Sequence, residues 1–302
     1  MKRTPKTIIK AGFGALLLSV ISLSVFAQKL NTVQEGSVLA PANIKVDGKL
    51  TEWNDTFQAY SKTTNVYYTM ANDADNLYLV MKSVDQSNNN KIIGGGINLT
   101  INTAGKKSEK DAFALIFPVV NLMNLRNTMM QGMSMTAMRS GGGAAPQAPD
   151  SEAIAAMRKK AVSTFKEVKL VGFKDIPDSV ISIYNEYGIK AFVDFDNKGA
   201  LIIEMAVPLK QLNITAGSAF SYNIKLNGIN LNAIMPGMGS MMMGGGMGGG
   251  GASFSGGGAQ TVTVVSSSSM GGGGGMPRGM GDIANMLSPT DFWGKYTLAK
   301  KE

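Results

Sequence analysis

Outside two tracts rich in glycine and methionine, apolar residues fall at every second position in short runs broken by turn residues, and a half-buried β-strand is the element with that period. Runs at 65–70, 77–84, 96–102 and 112–117 follow one another closely, with turn chemistry at 72–76 and 102–105. Four such runs in succession predict an antiparallel meander. The segments 190–195 and 200–207 flank Asp196, Asn197, Lys198 and Gly199, the clearest hairpin signal in the chain. Pro208 should end the second of them, because it cannot donate to a strand ladder. Two further strands are expected at 220–228 and 292–298, and one helix runs from a cap at Asp150 to about Phe165. The predicted fold class is mainly β: an antiparallel, jelly-roll-like β-sandwich with one helix and two Gly/Met-rich disordered inserts.

Of the 21 methionines, 16 lie within 121–149 and 233–287, as do 23 of the 37 glycines. Runs such as 244–251 and 271–275 carry few side chains to bury and the highest backbone entropy, so disorder is expected there. Within the second tract, the β-branched alternation at 260–265 predicts a short strand on a long tether. The strand at 292–298 follows that tract, so pairing with the other strands would make the tract an internal loop. The expected organisation is an export signal at 1–27 and one sandwich domain at 28–302, interrupted at about 121–149 and 233–287.

The export signal is read from Lys2, Arg3, Lys6 and Lys10, an apolar run at 11–25 and small residues before Gln28. That run is shorter than the about 20 residues of a bilayer span, so cleavage is expected and no transmembrane segment remains afterwards. The product would be periplasmic or extracellular. The formal net charge is +8, but those four bases have no acids beside them, which leaves +4 of the +8 on the rest of the chain. No basic run interleaved with aromatics follows, so nucleic acid is not an expected partner. Cysteine and histidine are both absent. Disulfides, thiolate and imidazole metal ligands and His-dependent nucleophiles are thereby excluded.

Three separated segments carry a further pattern: IKVDGKLTEW at 44–53, NLYLVMKSVD at 76–85 and IEMAVPLKQL at 203–212. In order, they show an apolar strand with Asp47 and Gly48, then Glu52 and Trp53; an apolar-aromatic-apolar run ending at Asp85; and Glu204 before Val207 and Pro208, with Leu212, Gly217 and 220–223 following. This resembles carbohydrate-binding module family 9 and the related DOMON-like secreted domains. The resemblance covers roughly 40–118 and 185–232 plus the final strand. It implies a β-sandwich that binds sugar between exposed aromatics beside amide and charged groups, in some members with calcium in a turn. Only Trp53 and Trp293 are available here as tryptophans. Trp53 is expected inside, and Trp293 either stacks on a sugar or packs within the sheet.

Two carboxylates suffice for glycoside hydrolysis, but Asp194, Asp196 and Glu204 are better explained as turn-forming or solvated groups, so no catalysis is expected. Asp73, Asp75 and Asn76 have the oxygen density a calcium ion prefers, and Asx-turn hydrogen bonding accounts for it more simply. Clustered thioethers, Met129, Met130, Met133, Met241, Met242 and Met243, would suit Cu(I), or would serve as adaptable contact surfaces. No resident cofactor is expected. The expected role is non-catalytic binding, of a glycan first, with Asp85, Asn98, Asn227, Asn230 and Trp293 as the candidate ligand residues. The alternative is a cell-envelope scaffold that makes its contacts through the Met/Gly tracts, with envelope components as partners.

Overall fold

The computed structural model describes residues 30–121, 123, 151–230 and 280–300. In chain order the elements are β1 (Ala59–Ser61), β2 (Val66–Asn72), β3 (Asn76–Ser83), α1 (Gln86–Gly95), β4 (Ile97–Asn102), β5 (Phe113–Phe117) and α2 (Ser151–Ser163). Then come β6 (Glu167–Val171), β7 (Val180–Ser182), β8 (Lys190–Phe195), β9 (Leu201–Pro208), a short 3-10 helix (Leu209–Leu212), β10 (Ala219–Leu226), α3 (Met280–Leu287) and β11 (Thr290–Thr297). The strands form two antiparallel sheets, ordered β1-β2-β3-β9-β8 and β11-β10-β4-β5-β6-β7. The predicted sandwich is what the chain builds.

The meander is not. The runs that became β2 and β3 pair in the five-stranded sheet, whereas β4 and β5 pair in the other. Between them α1 carries the chain across, at 86–95. Asparagine-rich sequence is a poor helix former, but Asp85 caps the helix, its Oδ1 accepting from the Asn88 amide at 2.8 Å. At the other end Gly96 takes φ 75°, and a Cβ there would lie 2.6 Å from the Pro118 carbonyl. α1, α2, α3 and the short 3-10 helix are therefore present among the described residues where one helix was predicted. α3 occupies the end of the second expected insert, where Met286 O accepts from Ile229 N at 2.9 Å. Apart from residues 121 and 123, the rest of both tracts, the strand expected at 260–265 and residues 1–29 lie outside the described residues. Among the described residues, no helix is long and apolar enough to cross a membrane.

Alternation decides which side chains enter the interior. Tyr68, Met70, Leu77, Leu79, Met81, Ile203 and Met205 from one sheet meet Leu99, Ile101, Phe117, Phe220, Tyr222 and Ile224 from the other. Each such side chain, fully buried, contributes about 2 kcal/mol. The hydroxyls of Tyr68 and Tyr222 bond at 3.0 Å across the gap between the sheets, which gives the Tyr222 hydroxyl its partner, while the Tyr68 hydroxyl also accepts from the Gln34 amide at 2.9 Å. β11 pairs with β10 along its whole length, from Ala219 opposite Thr297 to Leu226 opposite Thr290.

The outer face of the five-stranded sheet is covered by residues 30–57. Trp53 and Phe57 pack there on Ala71, Tyr78, Val80 and Ala206. Glu204 stands in the middle of that face, between Val80 and Phe192 on the neighbouring strands. It is not solvated, as had been expected, but only 2% exposed. Its Oε2 accepts from the amides of Asp47 (2.9 Å) and Gly48 (2.8 Å), and its Oε1 from Trp53 Nε1 (2.8 Å). Burial raises its pKa above the ordinary glutamate value, against the lowering effect of those three donors. Gly48, at φ 79°, lets the turn settle onto β8, where a Cβ would come within 2.8 Å of Asp194 Cβ. The Asp-Gly turn, the tryptophan and the glutamate of the sequence pattern are thus parts of one fastening.

Candidate functional site

Of the residues singled out in the sequence, Asn98 and Asn227 come together, while Asp85 lies apart from them. Asp85 is occupied as the cap of α1, and the ten residues of that helix put about 15 Å between it and Asn227 at the other end. Asn227 Nδ2 donates to Asn98 Oδ1 at 2.8 Å and to Gly95 O at 3.0 Å, while its backbone amide donates to Gly96 O at 3.0 Å. This pair holds the α1–β4 corner against the end of β10. Trp293 lies half-buried on β11, opposite Asn223. Asn223 in turn donates to Asp291 Oδ2 (2.7 Å) and to Phe292 O (3.0 Å). Asn98 and Trp293 share the outer face of the six-stranded sheet on different strands, and Asn230 is exposed. The six methionines proposed for Cu(I) fall outside the described residues. Replacing Asp85 by alanine should cost about 1 kcal/mol in urea denaturation, the usual worth of such a cap, and leave ligand binding unchanged.

A different place is concave. The register sets Asn76 at the start of β3 opposite Pro208 at the end of β9, so the β2–β3 turn and the 3-10 helix lie side by side. Leu209 N donates to Asp75 O at 2.8 Å and joins them. The loop from β7 to β8 closes the third side. With 214–216, these segments enclose an open cleft of about 620 Å³. Its apolar lining residues are Pro208, Leu209 and Ile214, with Tyr187, which also packs against the core, and its polar ones are Asp75, Asn76, Glu186, Lys210 and Thr215.

Each wall is held by local chemistry. Asp73 Oδ1 accepts from the amides of Asp75 (2.8 Å) and Asn76 (2.7 Å), and its Oδ2 accepts from the Tyr78 hydroxyl (2.7 Å). That is the Asx turn expected from the sequence. Burial works to raise the Asp73 pKa, but the hydrogen bonds from Tyr78 and the two amides outweigh it and hold the carboxyl below the ordinary aspartate value. Burial first, and then the Asp73 carboxylate, push the Tyr78 hydroxyl up. In the β7–β8 loop, Asn185 Nδ2 donates to the carbonyls of Ser182 (2.8 Å) and Ile189 (2.6 Å). The 3-10 helix ends at Asn213 in the left-handed conformation.

The charged side chains of the lining are unspent. The ion pairs among the described residues, Lys49 with Asp47, Lys82 with Asp55 and Asp196, and Lys225 with Glu109, leave out Asp75, Glu186 and Lys210. Two carboxylates and one ammonium therefore border a concave, partly apolar surface. The sequence showed the Asp73–Asn76 turn and the stop at Pro208 but not their adjacency, which follows from pairing between strands some 130 residues apart. Among the described residues, no group of three or more acidic side chains is arranged to hold a metal ion.

No protein-family model matches the chain, and no curated protein matches it. Among solved structures it is similar to a carbohydrate binding module of family 9 from Caldicellulosiruptor kristjanssonii in complex with glucose, with 8% identity, 66% of this chain and 81% of that chain covered, and a TM-score of 0.29.

Proposed function

We propose that this chain is an exported, non-catalytic binding protein and that the cleft at the β3–β9 end of the sandwich takes a glycan. The observation that carries the reading is the combination of unpaired charged groups with apolar residues and Tyr187 lining a concavity of about 620 Å³. A sugar ring presents an apolar C–H face and hydroxyls that both donate and accept. Tyr187, Pro208, Leu209 and Ile214 meet the first need. Asp75 and Glu186 accept from hydroxyls, while Lys210 donates to them.

Chemistry is not part of the proposal. Asp73 and Glu204, the carboxyls that the protein shifts from their ordinary pKa values, are both consumed in holding turns, far from the role of a free acid or base. Export is supported by the basic, apolar and small-residue order of the first 27 residues.

The test is a glycan array covering gluco-, manno-, galacto- and amino-sugar chains, probed with the protein from residue 28 onward, followed by calorimetry on the glycan retained. Tyr187→Ala and Asp75→Ala should each weaken binding about tenfold, the equivalent of about 1.4 kcal/mol. A blank array would sink the reading. So would wild-type affinity in both cleft variants combined with loss of binding in Trp293→Ala, which would move the site to the outer sheet face.

A further inference from the structure

The loop that lines the cleft with Glu186 and Tyr187 also carries Tyr184, whose side chain is 77% exposed, the highest value among the exposed large hydrophobic residues described. An aromatic ring so placed gains nothing from burial, yet its backbone is firmly held. Tyr184 N donates to Ser182 Oγ at 3.1 Å, and the next residue, Asn185, bonds the chain on both sides of the loop. Lys166 Nζ stands 5.8 Å from the ring centroid, a cation–π distance that favours one setting of the ring. Two residues of chain span at most about 7 Å, so Tyr184 lies within a neighbouring sugar ring's reach of Glu186 at the cleft.

We propose that the cleft holds one unit of an oligosaccharide and that Tyr184, preset on the same loop, stacks on the next unit outside it. The ligand class is accordingly a glycan chain of at least two rings rather than a free monosaccharide. Inside the cleft, charged groups read the hydroxyls of the first ring. Outside it, the tyrosine offers an exposed apolar face. This inference rests on the glycan reading of the cleft and adds direction and length to it.

Calorimetry with the glycan retained on the array, as a series from monosaccharide to pentasaccharide, separates the two ideas. Wild-type affinity should rise on going from one unit to two, by about fivefold, the worth of one aromatic stacking contact. Tyr184→Ala should lose that rise while binding the monosaccharide like wild type, and Tyr184→Phe should keep it. Because the side chain is exposed, unchanged thermal melts are expected for both variants. An equal rise with length in Tyr184→Ala, or no rise in wild type, overturns the outer position and leaves the cleft standing. No binding of any length by wild type overturns the cleft and the outer position together.

Discussion

Glu204→Ala should lower the unfolding free energy by about 3 kcal/mol, because it removes the acceptor of three donors at once, two buried and the Asp47 amide half-buried, at about 1 kcal/mol each. The Asp47 and Gly48 amides and the Trp53 indole all point at this one carboxylate. Urea denaturation reads the loss directly. Glu204→Gln keeps the shape and part of the accepting capacity, so a smaller loss is expected. The two variants also differ from wild type in pH dependence. Burial holds the Glu204 carboxyl above its ordinary value, so the folded state binds its proton more tightly than the unfolded chain does. The corresponding stability is fully present below the unfolded pKa and fades as pH rises through the folded one. Wild type should therefore gain on the glutamine variant as the solution is acidified through the carboxylate range. Asp73 has the opposite sign: its carboxyl is held low, so its contribution is present above the unfolded value and is lost as pH falls through the folded one. A Glu204→Ala protein within about 1 kcal/mol of wild type would show that the covering segment is not fastened there.

Gly294→Ala is the second large effect. Gly294 faces Tyr222 across the β10–β11 pair, and a Cβ would lie 2.2 Å from Tyr222 Cζ and 2.4 Å from its hydroxyl oxygen. A surface side chain would swing aside. Tyr222 cannot, being fully buried, bonded to the Tyr68 hydroxyl and packed edge-on against the rings of Tyr68 and Phe292. Overpacking of this kind costs about 3 kcal/mol, and the cost should appear as a lowered urea midpoint with an unchanged slope. Gly36→Ala is the control: nothing lies within 4 Å of its would-be Cβ, and stability should stay within about 0.5 kcal/mol of wild type. Equal stability of the two variants would mean that the tyrosine pair does not occupy the interior as described.

Both effects depend on relations between distant segments, and there the sequence was least informative. Period-two runs located β2, β3, β4, β5, β8, β9, β10 and β11 to within a residue or two, and turn chemistry placed the β8–β9 hairpin. Trp53 is buried as expected, and Asp73 and Asp196 serve turns as expected. Periodicity says which face of a strand is apolar, not which sheet receives it, so four successive runs read as one meander when α1 divides them between two. α1 itself was hidden because a helix built from Ser87, Asn88, Asn89 and Asn90 has no propensity signal, only the cap at Asp85. Glu204 looked solvated because a charged residue in a strand normally is. What buries it is the turn at Asp47, more than 150 residues earlier. The cleft was missed for the same reason: its walls come from 74–76, 186–188 and 208–216, and nothing local in any of them announces the other two. Of the candidate ligand residues chosen from position alone, Asp85 caps α1, Asn98 and Asn227 tie its far end to β10, Trp293 lies on the outer sheet face and Asn230 is exposed after β10.

The glycan cleft can be tested most directly by NMR, following backbone amide shifts of the protein from residue 28 onward while the array-selected glycan is titrated in. Shifts concentrated in 74–76, 184–188 and 208–216 are the predicted result. Shifts gathered instead around Asn223 and Trp293 on the outer sheet face, or none at saturating glycan, would contradict it.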